Sequence, residues 1–335
     1  METLERSWFP VAWSRDLRRR PRRVTLLDRQ FVVFRTRRGT PAVLENRCPH
    51  RGVDLSAGRV DHRGIRCRYH GWQFDETGRC TDVPSRLEAE RTPNVRVPAL
   101  PVHESAGAVW ATLSAEPYRP EPEPWQFPDH RAFLVDVEID CDYVRVMENL
   151  VDASHAAFLH RGLLRGMPKT EVQAQVEQTA TGVHIRTDGE TARGSLLYRL
   201  VARRDADIVH TEDFVAPNIV KLVYISGPAH STSQFVAVPM TESRTRLFGR
   251  VTVRMPGLTP VVFPVVQAAI RRIIRQDVSI MEDMAATERL FPGRRTTAVR
   301  ADTPSVWLSR AADDFRKNGP VPLERAQTAT VRYKL

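Results

Sequence analysis

Cysteine is scarce: Cys48, Cys67, Cys80 and Cys141 are the only four in 335 residues. A chain of this length has room for about two domains whose cores need no covalent staples, so a disulfide framework is not expected. The opening METLERSWFPVAWSRDLRRR lacks the apolar run of a secretory signal. The expectation is a reduced, cytoplasmic protein, in which Cys and His together point to metal or catalysis. Long apolar runs are missing as well. The most apolar segment, PVVFPVV, is short and broken by proline, far below the about 18 residues of a membrane span, and no membrane association is expected. Charge is not one-sided: 50 Lys+Arg against 40 Asp+Glu leaves +10, and LRRRPRR at 17–23 is the only dense basic run. Without interleaved aromatics or a helix-turn-helix signal it reads as a solvated loop, and no nucleic acid is expected. A Gly-rich nucleotide fingerprint and a plant-type ferredoxin cysteine set are also lacking, so the chain carries no reductase of its own.

What is present divides in two. From about residue 7 to 115 short strands alternate with Gly and Pro punctuation, in RVTLLDRQFVVFRT, TPAVLENRC, GIRCRYHGWQFDETGRCTDVP and AGAVWATL, the rhythm of a small all-β unit. AEPYRPEPEPWQFPD then packs five prolines into 15 residues and reads as a linker. Beyond it come a strand-like AFLVDVEIDCDYV, a helical stretch at 146–160, long alternating segments that read as an antiparallel sheet, and a long helix from about 261 to 290. The tail after Pro292 reads as irregular. The expected fold is α+β, with domains at 1–115 and 116–335.

The first domain carries CPHRG at 48–52 and CRYHGW at 67–72, that is Cys-x-His, sixteen residues, then Cys-x-x-His. Zinc accepts two Cys and two His, but it usually groups Cys with Cys and His with His. Here each loop offers one of each. That set suits a Rieske-type [2Fe–2S] cluster, with the thiolates of Cys48 and Cys67 on one iron and the imidazoles of His50 and His70 on the other. Gly52 and Gly71 follow the ligand pairs, where a tight loop must wrap backbone donors around sulfide. Cys80 and Cys141 have no His at ligand spacing and read as structural or free thiols.

The second domain carries ENLVDASHAAFLHRG at 148–162, with Asp152, His155 and His160 set into an apolar helical pattern. Two histidines five apart lie roughly 140° from one another on a regular helix. Both reach one ion only if the helix breaks, and an irregular turn is predicted at about 156–161, with Gly162 helping the exit. A third ligand is needed for a two-histidine, one-carboxylate iron site. In the long helix Asp277 falls inside the apolar stripe of Ile270, Ile273, Ile274, Met281 and Met284, whereas Glu282 and Asp283 point roughly 140° and 120° away and Glu288 lies roughly 16 Å along the axis. A carboxylate on that stripe needs a cation: a metal, or a buried Arg such as Arg271 or Arg275. Asp152, three residues before His155, is placed to orient its imidazole.

From WFPVAW at 8–13 through the cluster loops to NLVDASHAAFLH, the chain resembles the oxygenase component of the Rieske non-haem iron oxygenases. Its length and layout are similar to the shorter monooxygenase branch, which includes O- and N-demethylases and hydroxylases. The resemblance implies a helix-grip catalytic domain, His155, His160 and Asp277 as ligands of a mononuclear Fe(II), and Asn149 near that iron. It also implies a homotrimer in which Asp152 bridges to His70 of a neighbouring subunit. The implied reaction is O2-dependent hydroxylation or oxidative demethylation of a small organic molecule, with electrons from NAD(P)H through a separate ferredoxin or flavin/iron–sulfur reductase. Strand parity gives Phe158, Leu159, Leu163, Val223, Phe235 and Val251 as the expected substrate pocket, between the sheet and the long helix. Arene cis-dihydroxylation is the alternative within enzymes. A Rieske-type electron carrier would lack the second set of ligands, and a zinc module binding nucleic acid would space the first set differently.

Overall fold

Strands form where β-branched and aromatic residues alternate with polar ones between turn formers. In the computed structural model residues 2–17, 20–118, 131–164, 171–191, 207–255, 258–294, 296–320 and 326–335 are described. The chain divides into two compact units, 1–126 and 127–335. Most of the proline-rich stretch, from 119 to 130, lies outside the described residues.

The first unit opens with the short helix α1 (Glu2–Glu5). Ten strands follow: β1 (Phe9–Trp13), β2 (Arg22–Leu26), β3 (Arg29–Arg35), β4 (Pro41–Glu45), β5 (Arg59–Asp61), β6 (Gly64–Arg66), β7 (Gln73–Phe74), β8 (Cys80–Asp82), β9 (Val102–Ser105) and β10 (Ala108–Ala111). They make three antiparallel sheets, ordered β1-β10-β9, β2-β3-β4 and β5-β6-β7-β8. Val32, Phe34, Leu44, Leu55, Ile65 and Phe74 form a core cluster that also contains Cys48, Cys67 and Cys80. The two cysteines expected to hold the cluster are therefore rooted in the hydrophobic core.

In the second unit β11 (Arg131–Ile139) leads into α2 (Tyr143–Val151). Then come β12 (Glu171–Thr179), β13 (Gly182–Thr191), β14 (Asp207–Val215), β15 (Ile219–Ser226), β16 (Ala229–Thr241), β17 (Arg244–Arg254), α3 (Thr259–Leu290), α4 (Thr303–Asn318) and β18 (Thr328–Lys334). The strands form one eight-stranded antiparallel sheet, ordered β11-β17-β16-β15-β14-β13-β12-β18. This is the expected α+β architecture, a small β domain followed by an antiparallel sheet packed by helices. No helix among the described residues is long and apolar enough to cross a membrane.

Three expectations need correction. The tail after Pro292 is not irregular: it supplies α4 and the edge strand β18. α4 buries Pro304, Leu308, Ala312 and Phe315, a stripe of only four anchors in a polar sequence, and β18 exists by pairing with β12. The helical stretch expected at 146–160 is regular only to Val151. Val266 and Met281 of α3 are buried, but Met284, expected on the same stripe, is half exposed.

Candidate metal centres

The two Cys-His loops repeat one backbone plan. The Cys48 amide donates to Val53 O at 2.8 Å and the Gly52 amide to Cys48 O at 2.8 Å; the Cys67 amide donates to Trp72 O at 2.8 Å and the Gly71 amide to Cys67 O at 3.2 Å. Closing each loop requires a left-handed residue four positions after the cysteine, and Gly52 and Gly71 supply φ of 73° and 72°. Cys48 and Cys67 are 2% and 3% exposed. Burial foremost, with the Cys67 sulfur alongside, outweighs the His50 and Arg51 amides and pushes the Cys48 thiol up to about 11.

His50 and His70 stand together, ring centroids 4.6 Å apart, and Trp72 stacks on His50 at 4.7 Å and 9°. Desolvation, then the neighbouring His70 and Arg51, lower the pKa of His50, which favours the neutral imidazole that a metal needs. Its Nδ1 is buried without a hydrogen-bond partner. Two buried sulfurs paired, two outward imidazoles paired and amides aimed at sulfur fit a Rieske cluster.

In the second unit the polypeptide itself separates the two expected iron ligands from the helix. α2 begins at Asp142, whose Oδ1 accepts from the Val144 amide at 2.9 Å. It ends at Asp152, whose Oδ1 accepts from the Ser154 amide at 2.9 Å and from Ser154 Oγ at 2.6 Å. These bonds hold the chain in a 3-10 turn at Ser154–Ala157. A second turn follows, with Leu163 and Leu164 amides on His160 O and Gly162 at φ 80°. The break predicted at 156–161 thus begins earlier, at Asp152, because Ser154 diverts the Asp152 side chain into capping.

The result is convergence. His155 Nε2 and His160 Nε2 are 3.3 Å apart, and Asp277 Oδ1, brought in by α3, lies 2.9 Å from the latter and 3.4 Å from the former. One ligand atom from each of the three residues falls within a 4.8 Å cluster. Asp277 Oδ1 is buried without a well-aligned hydrogen bond, the state of a polar atom arranged for an ion. Burial alone would lower the pKa of His155, but Asp152 and Asp277 outweigh it and raise it to about 9. A site that favours positive charge so strongly fits a cation.

Asp277 pairs with the histidines, leaving Arg271 and Arg275 aside. Glu282 accepts from the Asp140 amide at 3.3 Å and Glu288 pairs with Arg145 at 3.4 Å, so neither joins the site. Asp152 Oδ2 is 3.5 Å from His155 Nδ1. Sequence reasoning missed Gln276, whose Oε1 accepts from His160 Nδ1 at 3.0 Å. Its position beside Asp277 was the available signal.

These residues open onto a cavity of about 190 Å³, walled by Asn149, Asp152, His155, His160 and Asp277 on one side and by β14–β17 and α3 on the others. At roughly 10–15 Å³ per water, it holds more than ten waters, room for an organic molecule and not for O2 alone. Of the expected pocket residues Phe235 lines it, whereas Phe158, Leu159, Leu163, Val223 and Val251 do not. Phe158 is 70% exposed beyond the turn. Val223 is passed over in β15, whose wall residues are Leu222, Tyr224, Ile225 and Ser226. Val251 is buried in the core, and Leu159 and Leu163 follow the turns away from the cavity, where Leu164 takes their place.

A Rieske [2Fe-2S] domain model matches residues 7–99, and a model of the vanillate O-demethylase oxygenase C-terminal domain matches residues 139–313, more than half of the chain. The chain is 33% identical over 250 residues to the 3-chlorobenzoate-3,4-dioxygenase oxygenase subunit of Comamonas testosteroni, covering 72% of this chain and 57% of that one. It is 30% identical over 166 residues to the 5,5'-dehydrodivanillate O-demethylase oxygenase subunit of Sphingobium sp., covering 48% and 39%. These matches span little more than half of the relatives' length at most. Among solved structures, dicamba monooxygenase bound to dicamba superposes with a TM-score of 0.83 at 20% identity, covering 94% of this chain and 98% of that one. Pseudomonas putida CBB5 NdmA with caffeine gives 0.74 at 21% identity, covering 94% and 92%. At such identities the likeness is one of fold.

Proposed function

The chain belongs to the Rieske non-haem iron oxygenases, and from that membership we propose that it catalyses O2-dependent hydroxylation or oxidative O- or N-demethylation of a small organic molecule. The observation that carries this reading is the convergence of His155, His160 and Asp277 in the wall of a mostly apolar cavity. When bound, a Rieske cluster supplies single electrons and an iron held by two His and one carboxylate supplies reductive O2 activation. Cys48, Cys67, His50 and His70 hold the cluster. Gln276 keeps His160 in the tautomer that leaves Nε2 free as a ligand, and Asp152 orients His155 in the same way. Asn149 lines the cavity beside them.

The reading extends to partners. Electrons come from NAD(P)H through a separate ferredoxin or reductase, for which the basic surface is suited. A homotrimer would bring a neighbouring copy's His70 to Asp152. Four buried cysteines, none in a disulfide, agree with a reducing, cytoplasmic setting. Demethylation is favoured by the dehydrodivanillate O-demethylase likeness. Arene cis-dihydroxylation is a second reading, favoured by the dioxygenase name of the relative aligned over 72% of this chain.

The test is incubation with a reductase, NADH, 18O2 and a panel of methylated and unmethylated aromatics and alkaloids. Formaldehyde marks demethylation, one 18O in the ring product marks hydroxylation, and two mark dihydroxylation. NADH-dependent O2 uptake that no panel member stimulates, in protein with both metal sites filled, would count against all three.

A further inference from the structure

β14 turns Ile208, His210, Glu212 and Phe214 to its buried side, so two titratable groups occupy positions that strand alternation gives to core side chains. His210 is 1% exposed and Glu212 2%. The His210 ring lies between two carboxylates, with Nδ1 3.1 Å from Glu190 Oε2 and Nε2 3.0 Å from Glu212 Oε1. It also stacks on the Tyr224 ring at 4.1 Å. Burial opposes a proton on His210, but Glu212 and Glu190 outweigh it and raise its pKa to about 9. Such a group is expensive to bury, and holding iron does not require it.

Its placement gives it a use. Glu212 and Tyr224 line the cavity, whereas His210 and Glu190 lie behind them. The assembly therefore shows the cavity one carboxylate and keeps its support in the core. The remaining charged or titratable groups of the wall are the iron-site residues Asp152, His155, His160 and Asp277, together with His230 and Arg254. His230 has its pKa lowered, by burial first and then by Arg254 and Lys221, so it is neutral. Arg254 is exposed, where water screens its charge.

We propose that Glu212 determines the specificity of this cavity: its carboxylate accepts a hydrogen bond from a substrate N–H, so that molecules bearing a protonated amine are taken in preference to isosteric carboxylates. A carboxylate has two oxygens and about four lone-pair sites, and His210 occupies only one oxygen. Charge-assisted N–H···O bonds are the strong ones, and they gain beside a mostly apolar wall. A carboxylate-bearing substrate would instead set like charges together against a largely apolar wall. Tyr224 adds an aromatic face beside the same carboxylate, a surface that suits an ammonium.

The proposal rests on the oxygenase reading for what is oxidised, but its test is one of binding. Isothermal titration of the holoprotein, without reductant, compares 4-methoxybenzylamine, 4-methoxybenzoate and 4-methoxytoluene. The wild type is expected to bind the amine at least tenfold more tightly than the benzoate. Glu212→Gln should weaken the amine ten- to hundredfold and leave 4-methoxytoluene within twofold. Benzoate binding as tightly as the amine to the wild type overturns the proposal without recourse to any variant, as does unchanged amine affinity in a folded Glu212→Gln protein. Failure of the oxygenase reading shows elsewhere, as missing mononuclear iron or missing O2 uptake, and leaves these affinities as they are.

Discussion

Gly52 and Gly71 occupy the same place in two matched loops, yet their surroundings differ. A Cβ on Gly71 would stand 2.9 Å from Pro84 Cγ, whereas one on Gly52 would meet only the Arg47 guanidinium at 3.6 Å. Both substitutions incur the left-handed penalty of about 1–2 kcal/mol, but only the first also pushes on a ring that cannot swing away. Gly71→Ala is expected to destabilise the protein by about 1 kcal/mol more than Gly52→Ala. It should also lower the ratio of cluster absorbance to protein absorbance, which Gly52→Ala preserves. Thermal denaturation and visible spectra check this, and equal losses would mean that Pro84 yields. Gln276→Leu is expected to weaken iron retention about 10- to 100-fold, because His160 loses the acceptor that fixes its ring; metal analysis after graded chelation measures it.

At the scale of elements, Arg35 at the end of β3 forms a two-pronged pair with Glu104 of β9, at 2.8 and 2.5 Å. The Arg35 hydrogen bond holds the Glu104 carboxyl below its ordinary 4.5. A depressed carboxyl stabilises the fold above its unfolded pKa and loses that contribution as pH falls through the folded value. Glu104→Gln should therefore cost up to about 1 kcal/mol at neutral pH, since the pair is partly exposed, and progressively less as pH falls below the ordinary 4.5 and through the depressed folded value. Urea midpoints of both proteins across that range test it, and a constant difference would assign the loss to packing. Elements with strong internal periodicity were legible in the sequence: the small strands, the long helix and Asp277 within its stripe. Those that exist through a partner were not. α4 has four widely spaced anchors, β18 needs β12 beside it, and the end of α2 depends on Ser154 diverting Asp152. His210 and Glu212 were readable in DIVHTEDFV, where Ile208 and Phe214 set the parity, but polar residues at inward positions argue against the strand that carries them. The pocket was missed for a related reason: parity tells which face a residue takes, not how far along the strand the cavity extends.

The whole molecule joins two centres assembled in different ways. All four proposed cluster ligands lie between Cys48 and His70, in loops closed by their own backbone, and their cysteines belong to the core of the first unit. The proposed iron ligands come from a turn at 155–160 and from residue 277 of a distant helix, so they meet only when the second unit is folded. Each unit has its own sheets and its own buried side chains, so damage to one centre should spare the other. In the full chain, Cys67→Ser is expected to abolish visible absorbance and the Rieske electron paramagnetic resonance signal while mononuclear iron is retained. Asp277→Ala is expected to do the reverse, since two imidazoles without their carboxylate hold iron poorly. Both variants should fail to turn over, because each removes one of the two capacities that the reaction joins. Turnover alone cannot separate them, and the paired metal and resonance measurements can. If Cys67→Ser lost both metals, the cores would be folding as one cooperative body, and the cluster would be a structural requirement of the second unit as well as its electron source.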